Sequence, residues 1–288
     1  MSSSSILPPV NTTTAALEKS HTQPYRPPNT PPLNTTILSN AYKSAKRRLF
    51  LFDYDGTLTP IVRNPADARP TPSLLRDLDA LCKDPANTVW IISGRDQNFL
   101  STYFGNIHRL GLSAEHGSFM KMGNQWVDML QDADMSWKDD ALQIFEKYTS
   151  QTPGTVIEQK KSSITWHYRN AHHLEEAIRQ VDQCRHELHR IPGVDILVGK
   201  MNVEVRSHLV NKGEVVMRIR SQVPADFILC AGDDRTDEDM FKTLRDDKRA
   251  FTVLVGPPTR ETYAGSCVGS SEEVVALLSS MVPQSASM

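Results

Sequence analysis

Cysteine is scarce. Cys82, Cys184, Cys230 and Cys267 are spread through 288 residues with no short paired spacing, which excludes a zinc knuckle and a dense disulfide framework. Cys230, in the apolar run Phe227-Ile228-Leu229-Cys230, reads as a buried structural thiol. Net charge is almost absent: 32 Lys and Arg stand against 34 Asp and Glu. There is thus no global basic field for non-specific nucleic-acid binding, and nucleic acid is not an expected partner. No apolar run approaches the roughly 18 to 20 residues of a bilayer span, and the first residues lack the basic-then-apolar order of a secretory signal. A cytoplasmic protein without a membrane partner is expected. Hydrophobic residues at 39% and charged residues at 23% are ordinary globular usage, which excludes a wholly disordered or collagen-like chain. At roughly 100 to 200 residues per domain, one large or two modest domains fit.

Residues 1–45 hold seven Ser, seven Thr, seven Pro and four Asn, 25 of 45 positions, without helical or strand periodicity. Such a segment cannot bury enough apolar surface to offset its ordering entropy. It is expected to be a disordered tail or the remnant of a linker; a transit peptide is the minority alternative, since Arg26 is the only arginine before Lys46-Arg47-Arg48.

From Arg48 onward, short apolar runs alternate with helical patterns. Leu49–Phe52 and Thr88–Ile92 read as strands. Residues 71–83 read as a helix, with Leu74, Leu75, Leu78 and Leu81 on one face behind the Thr71-Pro72 start signal. The alternation resumes with a helix opening at Asn211, a strand at Phe227–Ala231, a helix from about Thr236, a strand at Phe251–Val255 and a helix from Ser271. Such βαβ units build a parallel sheet.

Residues 121–206 read differently, as helix, two strands, helix, two strands. Ser136 can cap a helix bearing Leu142, Phe145 and Tyr148, and Thr155–Lys160 and Ser163–Arg169 alternate around the polar Lys161-Ser162 turn. Leu174, Ala177, Ile178, Val181, Cys184 and Leu188 form a second helical stripe, and Asp195–Val198 joins Met201–Val205 across Gly199-Lys200. The expected fold is α/β: a parallel-sheet core, 46–120 and 207–288, with an antiparallel α+β unit, 121–206, inserted in it.

The chemistry gathers at strand ends. Leu49-Phe50-Leu51-Phe52-Asp53-Tyr54-Asp55-Gly56-Thr57 is an apolar strand ending in two carboxylates two apart and a glycine that permits a sharp turn. Ligands of open α/β sheets bind at the carboxyl ends of strands. One carboxylate can attack phosphorus while the other serves as acid and then base. Ser93-Gly94-Arg95 ends a second strand, where a hydroxyl and backbone N–H groups can take phosphoryl oxygens, although Ser-Gly is also an ordinary turn. Lys212 opens a helix as a point charge suited to phosphate, although in isolation a solvated surface lysine is the favoured reading. Asp233-Asp234-Arg235-Thr236-Asp237-Glu238-Asp239 follows a third strand with the hard oxygen donors that suit Mg2+.

In this order Asp53 and Asp55, Ser93, Lys212, and Asp233 with Asp237 resemble the haloacid dehalogenase (HAD) superfamily of phosphotransferases. The resemblance implies a HAD-like Rossmannoid core with an inserted cap. It further implies Asp53 as nucleophile, Asp55 as acid/base, and Ser93, Gly94, Arg95 and Lys212 on the phosphoryl group. Mg2+ would be held by Asp53, the Asp55 carbonyl and Asp233, with Asp234 and Asp237 in support. Finer segments, Phe52 through Pro60, Ala114-Glu115-His116-Gly117, Asn202 through Arg206 and Gly232 through Phe241, look like the trehalose-6-phosphate phosphatase family over residues 47–258. That implies a phosphatase of trehalose biosynthesis, hydrolysing trehalose 6-phosphate to trehalose and phosphate through an aspartyl-phosphate.

Within the insert, Glu158 and Lys160 share one strand face, as do His167 and Arg169, and Asn202, Glu204 and Arg206. Pattern alone leaves a sugar-binding face and a solvated sheet face equally open; the resemblance implies that Glu158, Lys160 and Glu204 bind the distal glucose, with Arg169 near the mouth. Ser207 stands where the family often has Pro, at the hinge between cap and core. His116 either reaches the cleft or packs between the domains. A sugar phosphate is the expected partner and a monomer the expected state. The family often carries a synthase-like domain ahead of the phosphatase, for which this chain has no room, so any association with a trehalose-phosphate synthase is expected in trans.

Overall fold

The strand Arg48–Phe52 shows why the core has three layers. Phe50 and Phe52 enter one apolar cluster, Leu49 and Leu51 another, and all four are fully buried. A strand buried on both faces needs helices on both. The computed structural model, which describes residues 30–62, 67–199 and 201–282, supplies them.

In chain order the elements are α1 (Thr35–Ser44), β1 (Arg48–Phe52), α2 (Pro72–Lys83), β2 (Asn87–Ile92), α3 (Gln97–Phe104), β3 (Leu110–Ala114), β4 (Phe119–Met122) and β5 (Gln125–Asp128). A second unit follows: α4 (Trp137–Gln151), β6 (Val156–Gln159), β7 (Ser163–His167), α5 (Leu174–Leu188), β8 (Val194–Gly199) and β9 (Asn202–Ser207). The chain then returns with α6 (Lys212–Gln222), β10 (Phe227–Gly232), α7 (Glu238–Leu244), β11 (Ala250–Val255), β12 (Ser266–Val268) and α8 (Ser271–Met281).

The large sheet runs β12-β11-β10-β1-β2-β3-β4-β5, parallel except where β4 and β5 join antiparallel at one edge. β1 is central, with Phe52 paired to Ala231 of β10 and Ile91 of β2. Asp53, Ser93 and Asp233, each one residue past a strand, therefore emerge at one edge of the sheet. The smaller antiparallel sheet runs β6-β7-β9-β8. Ile164, Trp166, Val203 and Val205 of its one face are buried with Ala141 and Phe145 of α4 and Ala177 and Cys184 of α5.

Local signals account for the boundaries. Thr71 Oγ1 accepts from the Leu74 amide at 3.2 Å, and Pro72 opens α2, whose Leu74, Leu78 and Leu81 are buried. Asn211 Oδ1 accepts from the Glu214 amide at 2.9 Å at the start of α6. Ser136 occupies the cap position of α4, yet its side chain makes no capping bond.

Two expectations are corrected. Residues 30–45 are not a disordered tail: Leu33 N donates to Cys267 O at 2.8 Å, Leu38 of α1 is fully buried, and Tyr42 Oη donates to Met281 O at 2.9 Å. One leucine and one tyrosine in a polar segment suffice once a prepared surface receives them. Residues 1–29 of the expected tail, and Lys200 of the Gly199-Lys200 turn, lie outside the described residues. The insert also begins later than 121, because β4 and β5 form a tight Gly123-Asn124 hairpin that extends the large sheet.

If α1 belongs to the folding unit, Leu38→Ala should lower the unfolding free energy by about 2 to 4 kcal/mol through the buried volume it removes. Urea denaturation measures this, and a change within about 0.5 kcal/mol, typical of surface sites, would place the segment outside the cooperative core.

Candidate active site

Asp53 follows β1 directly, with its amide bonded to Ala231 O at 3.0 Å. Its Oδ1 lies 2.6 Å from Lys212 Nζ, and the same ammonium lies 2.6 Å from Asp237 Oδ1. All three side chains are buried. The other Asp237 oxygen accepts from the amides of Asp233 at 2.8 Å and Asp234 at 2.9 Å, so Asp237 shapes the loop that follows β10. Asp234 Oδ1 in turn accepts from the Thr236 amide at 2.7 Å and hydroxyl at 2.6 Å.

The electrostatics follow from burial. Desolvation pushes Asp53 up to about 7, opposed by Lys212 and reinforced by Asp233 and Asp234. Burial, then Asp237 and Asp234, push Asp233 up to about 7 as well. Burial alone would lower the Lys212 ammonium, but Asp237 and then Asp53 more than reverse it and hold it well above its ordinary range. Asp234 is also desolvated, yet Lys212 and the Thr236 bonds bring it down to about 2.

Oxygens of Asp53, Asp233 and Asp237 lie within 4.8 Å of one another. Lys212 bonds the first and last of these, while Asp233 Oδ1 is buried without a hydrogen-bond partner. Oxygen-only donors, excess negative charge and an orphaned carboxylate oxygen fit a hard divalent cation. Gly56 is required by the same crowding: its φ is +87°, and a Cβ there would lie 2.3 Å from Asp233 Oδ2.

Asp55 faces a different partner. Arg95 grips it with two bonds, Nε to Oδ2 at 2.7 Å and Nη2 to Oδ1 at 2.5 Å, and lies over the Phe99 ring at 4.4 Å. The Arg95 amide donates to Ser93 Oγ at 3.1 Å. The Arg95 side chain, expected on the phosphoryl group, is here paired with Asp55, and its backbone N–H is turned to Ser93. Past β3, Glu115 and His116 adopt φ of 47° and 56°. Two successive non-glycine residues in this region cost on the order of 1 kcal/mol each. The turn is held by Glu115 N to Arg95 O and His116 N to Ser93 O, both 2.9 Å. The His116 ring occupies the place a Cβ on Gly94 would need, 2.6 Å from Nε2; burial, then Lys212, lowers it to about 3, so it is neutral.

On the smaller sheet, Glu158 and Glu204 both pair with Thr165, so the three form a row on the face opposite the helices. His167 Nε2 lies 2.8 Å from Glu158 Oε2, and Lys160 Nζ lies 3.8 Å from Glu158 Oε1 and 3.5 Å from Gly94 O. Glu158 and Glu204 thus share one face of the smaller sheet, and Lys160, one residue past β6, reaches the strand-end loop. Arg169 is exposed and lies past the end of β7.

Contacts that the sequence pattern did not mark hold these parts together. Arg206 of β9 reaches Asp239 of α7 at 2.9 Å. Arg260 Nη2 donates to the carbonyls of Asp233 at 3.2 Å and Asp234 at 2.8 Å, and Nη1 pairs with Glu238.

A trehalose-phosphatase family model matches residues 51–271. The chain belongs to the trehalose-phosphatase family. Curated trehalose-phosphatases of Schizosaccharomyces pombe and Saccharomyces cerevisiae are 43% and 40% identical over 87% and 88% of this chain. The chain spans about a third of the length of each, 32% and 33%. Among solved structures, the C-terminal domain of Candida albicans trehalose-6-phosphate phosphatase superposes with a TM-score of 0.78 at 43% identity, covering 88% of this chain and 98% of that one. The family match agrees with the HAD-like reading of the fold.

If Arg95 orients Asp55, Arg95→Lys, which keeps the charge but not the two-pronged grip, should lower kcat about 10- to 100-fold with little change in KM. Steady-state kinetics with a phosphate ester decides; an unchanged kcat would remove Arg95 from this role.

Proposed function

We propose that the chain hydrolyses trehalose 6-phosphate to trehalose and phosphate, as the phosphatase step of trehalose biosynthesis. The observation that carries this reading is the Lys212-held Asp53 beside the orphaned Asp233 oxygen, with Lys160 of the smaller-sheet unit reaching the Gly94 carbonyl of the neighbouring strand-end loop. Asp53 attacks phosphorus and the bond to the sugar oxygen breaks, leaving an aspartyl-phosphate. Asp55, protonated on one oxygen released from Arg95 while the other stays bonded to it, gives that proton to the departing sugar oxygen. It then takes a proton from the water that attacks the aspartyl-phosphate, releasing phosphate and restoring Asp53. The Lys212 ammonium, the Ser93 hydroxyl and the backbone at Gly94 are the groups assigned to the phosphoryl oxygens.

The fit of Asp53 and Asp233 to a hard cation supports Mg2+, with the Asp55 carbonyl as third ligand; when bound it supplies positive charge against the transferring phosphoryl group. Asp237 stays outside this set because both its oxygens are committed, one to Lys212 and one to two amides. Asp234 shapes the loop in the same way. Glu158, Lys160 and Glu204 accept from and donate to the hydroxyls of the distal glucose, and Arg169 stands near the entrance.

We further propose a monomer in the cytoplasm that associates with a trehalose-phosphate synthase. The four free cysteines support a reducing compartment, and no helix among the described residues is long and apolar enough to cross a membrane.

Phosphate release from trehalose 6-phosphate, sucrose 6-phosphate and glucose 6-phosphate, each with Mg2+ and with EDTA, tests the reading. Strong preference for the first, lost with EDTA, is expected. Release from none of them by a folded protein would replace it with a catalytically silent sugar-phosphate sensor.

A further inference from the structure

Glu115 stands between two parts of the molecule that the proposed reaction needs in register. On one side its backbone is tied to the phosphate loop: its amide donates to Arg95 O and the following amide to Ser93 O, while Ser118 Oγ donates to its carbonyl at 2.7 Å. On the other side its carboxylate leaves the large-sheet domain. Oε2 accepts from the Lys161 amide at 3.1 Å and from Ser162 Oγ at 3.5 Å, in the turn between β6 and β7. Lys161 directly follows Lys160, whose ammonium reaches Gly94 O. Lys138 of α4 closes the same turn from behind, its Nζ bonding Lys160 O at 2.5 Å and Lys161 O at 3.4 Å. The left-handed backbone at Glu115 and His116 is an outlier that calls for a function, and its effect is to aim this carboxylate at the turn.

We infer that Glu115 is a positioning and specificity residue: through the Lys161 amide it fixes Lys160 above Ser93-Gly94-Arg95, so that the sugar-binding lysine and the phosphate loop keep one spacing. This rests on the trehalose 6-phosphate reading of the site. A small ester such as p-nitrophenyl phosphate offers Lys160 no sugar, and its turnover reports the strand-end residues alone.

The test compares the full chain with Glu115→Ala, Glu115→Asp and Glu115→Gln, using kcat and KM for trehalose 6-phosphate and for p-nitrophenyl phosphate, together with amide hydrogen exchange over 160–162. Glu115→Ala should raise KM for trehalose 6-phosphate about tenfold relative to that for p-nitrophenyl phosphate, with kcat less affected. Glu115→Asp, which draws the carboxylate back by one methylene, should shift the ratio in the same direction. Glu115→Gln, whose amide oxygen can still accept from Lys161, should restore it to within about threefold. The Lys161 amide should exchange faster in the Ala and Asp variants. An unchanged ratio, an equal rise for both esters, or unchanged Lys161 protection would overturn the inference. Glu115→Asp decides if the Ala variant does not fold. A wild-type chain that turns over p-nitrophenyl phosphate but not trehalose 6-phosphate would sink the functional reading alone, and the Lys161 exchange would still decide the contact.

Discussion

Lys212 carries its ammonium to a place nearly closed to solvent, and it stays charged there because Asp53 and Asp237 each bond it at 2.6 Å. Removing a charge from water is costly, and a buried cation survives only with close, well-oriented partners. The arrangement links three separate pieces of chain. Asp53 ends β1, Lys212 begins α6, and Asp237 sets the loop that carries Asp233 and Asp234. Loss of Asp237 would remove one of the ammonium's two partners and release the loop together, whereas loss of Asp53 would leave the ammonium with Asp237 alone. The buried Asp233 oxygen left without a hydrogen-bond partner is what makes the site receptive to a hard cation.

A second constraint joins the two sheets. The smaller sheet hides one face against its own helices, carries a polar row on the other, and sends its 160–162 turn to the strand-end loops. Arg206 with Asp239 and Glu115 with the Lys161 amide fasten it at separate points. Lys160 with the Gly94 carbonyl and Lys161 with Asp128 add to these contacts, so the two sheets are joined at several points.

Strand ends were the most legible part of the chain. Uninterrupted apolar runs ending in Asp-x-Asp, in Ser-Gly or in Asp-Asp can sit almost nowhere but at the carboxyl edge of a parallel sheet, and Asp53, Ser93 and Asp233 stand where those patterns place them, whereas Lys212, in isolation a surface lysine, is buried. The alternation of Ile164, Trp166, Val203 and Val205 likewise marked the face that packs on helices. Pairwise contacts between distant segments were not legible. Nothing in Ser93-Gly94-Arg95 says that the guanidinium pairs with Asp55, and nothing near Glu115 says that its partner is an amide 46 residues away. The order of residues 30–45 was missed because composition weighs the segment alone, whereas Leu38 and Tyr42 gain their stability from a surface built by the rest of the chain.

The claim on which the chemistry depends is that Asp53 takes the phosphoryl group. Quenching the enzyme during turnover with borohydride, which reduces an acyl-phosphate to the alcohol, and mapping peptides by mass spectrometry tests this directly. Homoserine at position 53, absent without substrate, is the result the account requires. Homoserine at position 55, or an intact Asp53 in enzyme caught at full turnover, would contradict it.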